Sequence, residues 1–150
     1  MKTVAVAGML LAASASASAD VAPVEYRDLG LAGIRLGDTP VQVVTVLGTP
    51  IRQVQDQGVY SHEFDYDGLK VLFTIGAEII TSSSPDHCTL RGVCPGMTVA
   101  ELEAAYGPGR KRDWQSHVAI SYPVPGEGMC SLVAMASGGK IASLQVGCQP

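Results

Sequence analysis

The sequence predicts an α+β fold of two tandem repeats, each a short helix followed by a three-stranded antiparallel meander, with the sheets joined and the helices on one face. Three observations predict it. A helix-start pattern occurs twice, 59 residues apart. After each copy the apolar period changes from helical to alternating. Turn residues then break each alternating run at hairpin spacing.

Residues 1–19 read as a cleavable signal peptide. Lys2 is a short positive region, Val4 to Ala13 is apolar, and Ala17-Ser18-Ala19 supplies the small side chains a signal peptidase admits. The apolar stretch is about ten residues, where a membrane-spanning helix needs roughly 20. No later segment is apolar and long enough to span, so the mature chain is expected to be soluble, in the periplasm or secreted. No Cys lies near the cleavage site, so no lipid anchor is expected there.

Residues 20–32 form an N-terminal extension. The first repeat occupies 33–84, a linker 85–91, and the second repeat 92–150. Gly33 to Pro50 and Gly92 to Pro108 align without gaps through Gly48 and Gly107. Thr39 and Thr98 are predicted N-caps. Gln42 and Glu101, three residues on, complete capping boxes. Pro40 suits a first helical position, where its missing N–H costs nothing. Gly48 and Gly107 suit the left-handed residue that ends a helix, and Pro50 and Pro108 forbid continuation. The apolar faces are Val43, Val46 and Leu47 in the first copy, and Leu102, Ala105 and Tyr106 in the second.

Tyr60, His62, Phe64 and Tyr66 then alternate with polar residues up to an Asp67-Gly68 turn. Leu69, Val71, Phe73 and Ile75 alternate along a second strand, and Glu78 to Ser82 forms a third. In the second copy Val118, Ile120 and Tyr122 alternate, followed by a turn over 123–128. A hairpin follows, of Met129 to Ala136 and Lys140 to Gly147 around Ser137-Gly138-Gly139. Two such units side by side would leave the sheet face opposite the helices open.

The mature chain would have 150 minus 19, or 131 residues, enough for one domain. Removing Lys2 takes the formal charge from −4 to −5. That balance is a poor match for nucleic acid or an anionic membrane surface. Cys88, Cys94, Cys130 and Cys148 are an even set and are expected in disulfides after export. Three pairings are possible. Local arguments favour Cys88–Cys94 and Cys130–Cys148, the second because the hairpin turn would set those two residues opposite each other. Spacings of six, 36 and 18 residues match no zinc pattern, so no metal is expected.

Two copies of this helix-start pattern, each followed by a meander, resemble the tandem-repeat β-lactamase-inhibitor proteins and the small SmpA/OmlA-type outer-membrane assembly lipoproteins. The resemblance covers about residues 33–82 and 92–147. It implies a sheet and loops that grip a protruding loop of a secreted enzyme, or a part in holding an envelope complex together. It implies no catalysis.

His62, His87 and His117 lie in no nucleophile motif, and there is no phosphate loop, His-Glu-x-x-His or calcium loop. The chain is therefore read as a non-enzyme without cofactors. Glu63, Asp65 and Asp67 form an acidic stripe on one strand face, suited to a basic partner or a cation, or else an ordinary solvated face. His62 reads as a core residue. Asp86-His87-Cys88 reads as a polar linker rather than a metal site. Arg110, Lys111, Arg112 and Trp114 fall in the loop between the second helix and its first strand. A lone Trp beside cations in an exposed loop has the composition of an interface anchor; the alternative is a Trp tucked under the sheet edge. The expected function is protein binding, with inhibition of, or immunity to, an exported enzyme as its specific form. Envelope assembly and small-ligand binding are the alternatives.

Overall fold

The computed structural model describes residues 20–149, so the expected leader over 1–19 lies outside the described residues. The chain begins with a 3-10 turn at Tyr26–Asp28 and a two-stranded hairpin, β1 (Gly30–Leu31) and β2 (Ile34–Arg35). Helix α1 (Pro40–Leu47) follows. Four strands come next: β3 (Arg52–Gln57), β4 (Tyr60–Tyr66), β5 (Leu69–Phe73) and β6 (Ala77–Ser82). Helix α2 (Val99–Tyr106) then precedes β7 (Arg110–Trp114), β8 (His117–Pro123), β9 (Cys130–Ser137) and β10 (Lys140–Cys148).

This corrects the predicted fold class. The described residues are mostly β, with ten strands and two eight-residue helices. The repeat of a helix and a three-stranded meander is not what forms. Four strands follow each helix, and all eight join one antiparallel sheet in the order β3-β4-β5-β6-β10-β9-β8-β7. Within this sheet the strands left out of the prediction are β3 and β7, the two edges; the short β1–β2 hairpin is left out as well. Arg52 to Asp56 of β3 and all of β7 (Arg-Lys-Arg-Asp-Trp) are exposed except for half-buried Val54, so they carry no alternating apolar signal. Residues 110–114 are thus a strand rather than a loop.

The helix ends follow local chemistry. The Gln42 N–H donates to Thr39 Oγ1 at 3.3 Å, and the Thr39 N–H donates back to Gln42 Oε1 at 2.8 Å. Thr98 and Glu101 make the same exchange at 3.2 and 2.8 Å. Each cap is worth about 1 kcal/mol. Gly48 and Gly107 end the helices at φ 81°, ψ −169° and φ 78°, ψ −174°, which is not the expected left-handed helical cap but an extended positive-φ region that only glycine enters without strain. The Tyr66 and Tyr122 hydroxyls donate to the Gly48 and Gly107 carbonyls at 3.1 and 3.0 Å, which ties each helix end to its sheet. Burial pushes the Tyr122 phenol up to about 12, with Glu103 and Tyr106 adding to it. Val43, Leu102 and Tyr106 face the core, whereas Val46, predicted inward, is exposed.

One sheet face is the core. Phe64, Val71, Ile80, Val146, Leu132 and Tyr122 stand side by side across six strands, and each is at most 5% exposed. The seam between the two four-stranded groups is β6–β10, where Ile79 to Ser82 pair with Gly147 to Leu144. A single apolar cluster runs from Val24 to Val146 across this seam. His62 lies on the core face, half-buried, with its ring 6.4 Å from that of Phe64.

Residues 20–32 do more than precede the body. Val24, Leu29 and Leu31 are buried in it, and Leu31 bridges to Thr89. The Arg91 guanidinium clasps this segment. It donates to the carbonyls of Ala22 (2.8 Å), Pro23 (2.9 Å) and Ala105 (3.2 Å), pairs with Asp28 at 2.8 Å, and lies 4.8 Å from the Tyr106 ring centre. Desolvation pushes the Asp28 carboxyl up, but the Glu25 N–H, Arg91 and Arg27 outweigh it and hold it below its ordinary 3.8. A depressed folded value means that the stabilisation is full above the unfolded value and is lost as pH falls through the lower folded value. Arg91→Ala should cost about 2 kcal/mol at neutral pH, because three carbonyls and a carboxylate lose their donor. In urea melts the gap between wild type and Asp28→Asn should close as the pH falls from above 3.8 through the lower folded value. A gap that stays constant from neutral to acid would remove Asp28 from the account.

Candidate functional site: the open face of the sheet

The other sheet face is covered by no element among the described residues. Side chains alternate across a strand, so the ladder fixes which residues share this face. One row runs Arg52, Asp65, Lys70 and Thr81 across the first four strands, and continues Gln145, Val133, Ser121 and Arg110 across the second four. Beside it lies a shorter row of Ser143, Met135, Ala119 and Arg112, with Trp114 next on β7. Thr81 Oγ1 donates to Gln145 Oε1 at 3.3 Å across the seam.

The two ends of this face differ electrostatically. At the β3–β5 end, Arg52 reaches Asp65 at 2.6 Å and Glu63 at 2.9 Å, while Lys70 reaches Glu63 at 2.8 Å and Asp65 at 3.6 Å. The hydrogen bond from Lys70 to Glu63 holds the Lys70 ammonium above its ordinary value. The expected acidic stripe is therefore already neutralised: two carboxylates face two cations, with none left over for a basic partner. Asp67 does not belong to it and lies exposed in the β4–β5 turn. Arg52 and Lys70 were the residues missed. Both were visible as cations on flanking stretches, but Arg52 lies in the unpredicted strand β3.

At the β7 end the balance is reversed. Lys111 points to the core face and pairs with Glu103 of α2 at 2.7 Å. Arg110 and Arg112 make no ion pair among the described residues. The Arg112 guanidinium lies 5.9 Å from the Trp114 ring centre, and Trp114 is 53% exposed. It lines an open groove of about 360 Å³ with Thr81, Ala119, Val133, Met135 and Gln145. Trp114 is thus on the face rather than tucked under the edge. The structure brings Arg110, Arg112 and Trp114 together and leaves Glu63 and Asp65 at the opposite end.

The cysteines are bonded as Cys88–Cys94 and Cys130–Cys148, with Cα separations of 4.1 and 3.8 Å. Cys130 and Cys148 are direct ladder partners at the open end of the β9–β10 hairpin. Such bonds belong to an oxidising compartment and fit an exported protein. His87 Nδ1 lies 3.2 Å from Ser82 Oγ. No helix among the described residues is long and apolar enough to cross a membrane.

No protein-family model matches the chain, and no curated protein sequence matches it. One similar solved structure is a DUF4309 family protein, YjgB, from Bacillus subtilis. It is 15% identical with a TM-score of 0.44, covering 74% of this chain and 78% of that one. Another is an extracellular protein containing an SCP domain from Bacillus anthracis, 7% identical with a TM-score of 0.49. That match covers 92% of this chain but spans half (50%) of the other chain's length. Neither likeness reaches a score from which shared function follows.

Proposed function

We propose that the chain is an exported, non-enzymatic protein-binding module that receives its partner on the open sheet face at the β7 end. Its specific form is an inhibitor or immunity-type protein acting on an exported enzyme. The observation that carries the reading is Trp114, half-exposed beside Arg112 on a groove that no part of the described chain fills. Trp and Arg dominate binding energy at protein interfaces because each offers a large contact area with a polar or charged handle. Val133 and Met135 line the groove beside polar Thr81 and Gln145, a mixed surface that suits a loop carrying both apolar and polar side chains.

Trp114→Ala tests it. Since the side chain is half in solvent, the variant should melt within about 1 kcal/mol of wild type. As immobilised bait in envelope extract, wild type should retain a protein that the variant loses, because an anchor of this kind is worth about 2 kcal/mol or more. Identical capture by the two baits would sink the reading.

A further inference from the structure

We infer that the free edge of β7 is a docking strand for an extended acidic segment of a partner protein, which adds to the sheet as a ninth strand. The inference rests on the protein-binding reading and names how the partner engages. A strand at a sheet edge leaves a row of backbone N–H and C=O groups unpaired, and an incoming strand can take them up. β7 pairs with β8 through five successive positions, from Arg110↔Ser121 to Trp114↔His117, with no register shift, and all five of its residues are exposed. No other strand among the described residues meets its far edge.

The two edges of the sheet are not equivalent. On β3, Asp56 sits at φ 54°, a conformation that non-glycine residues rarely take and that breaks a regular edge. β7 has no such residue. Charge decides the occupant. The whole chain is acidic, at a formal −4, yet three of its ten Lys and Arg stand consecutively at 110–112. Arg110 and Arg112 share the open face and make no ion pair among the described residues, so carboxylates on alternate residues of an incoming strand would stand beside them. An aromatic or aliphatic residue further along that strand would meet Trp114. A second copy fits less well, since the fully overlapped antiparallel β7–β7 pairing sets Arg112 against Arg112, although Lys111 would then face Asp113. Cations also guard edges against aggregation, but a guarded edge repels strands without binding acidic ones saturably.

Trp114 is the chain's one tryptophan and lies on this strand, so its emission reports on the edge directly. The mature chain would be titrated with a short synthetic peptide alternating glutamate and valine. Controls are the same peptide with lysine for each glutamate, and with a central proline that forbids strand pairing. The expected result is a saturable emission shift and slowed amide exchange at alternate β7 residues with the glutamate peptide alone. Arg110→Glu/Arg112→Glu, its fold checked by circular dichroism, should weaken binding at least tenfold. No saturable shift, or equal binding of the proline peptide, would overturn the inference, as would self-association through β7 in sedimentation. If the Trp114→Ala bait loses its partner while β7 exchange is unmoved by the peptide, the ninth strand falls and the face reading stands. If both fail, both fall.

Discussion

Phe73→Ala is expected to lower the stability of the whole sheet, not just of its first half, by about 3–5 kcal/mol. Phe73 is fully buried on β5, with its ring 4.8 Å from that of Phe64. Truncation removes most of a large apolar side chain and leaves a cavity that a paired central strand cannot collapse to fill. Domains of this size have about 5–15 kcal/mol in all, so the loss is a large fraction. The apolar cluster crosses the β6–β10 seam without a break, so the two halves should melt together. Trp114, at the far edge, then gives the decisive reading. Its emission midpoint should fall with the circular dichroism midpoint in Phe73→Ala. A Trp114 transition left at the wild-type temperature would show two independently melting halves. Phe73→Leu, which keeps most of the volume, should cost much less.

Removing the Cys130–Cys148 bond, as Cys130→Ser with Cys148→Ser, is the other large effect. Its sequence separation is 18 residues, and closing such a loop in the unfolded chain is worth about 3 kcal/mol. Cys88–Cys94, with a separation of six, is worth about 2 kcal/mol by the same reasoning. Reducing both would remove about 5 kcal/mol, the lower end of what a domain has. The wild type should therefore melt far lower with a reductant, whereas the double serine variant should respond only through Cys88–Cys94. A reductant shift under about 1 kcal/mol in wild type would remove the disulfides as a main source of stability.

Much of the local structure was legible in the sequence because single residues determine it. Thr39 with Gln42, and Thr98 with Glu101, place the helix starts, and the glycines after Leu47 and Tyr106 place the ends. Alternation at Phe64, Val71 and Ile120 gives inner strands because those strands bury one face. The turn at Gly138-Gly139 sets the hairpin and, with it, Cys130 opposite Cys148. Edge strands lie outside the reach of such signals. β3 and β7 pair on one side and bury little, so backbone hydrogen bonds and the ion pairs of Arg52 and Lys111 place them, with no apolar alternation to announce them. Without these two edges the chain reads as two helix-plus-meander units rather than as one eight-stranded sheet. The same omission hid the site: without β3, Arg52 could not be seen to neutralise Glu63 and Asp65, and without β7, Trp114 read as a loop residue. Nothing local signalled that residues 24–31 enter the core, since their partners, Thr89 and Arg91, lie about sixty residues along the chain.

The strand order has a consequence for how the chain is made. β10 is the last strand in sequence but sits at the middle of the sheet, beside β6. A polypeptide emerging from its N-terminus must present β3 to β6 with the apolar β6 flank bare until β10 arrives. Its central contacts span some sixty residues, and pairings of that reach form slowly. The centre of the sheet therefore closes last. Until then the chain is vulnerable to sticking at β6 if synthesis stalls before residue 140.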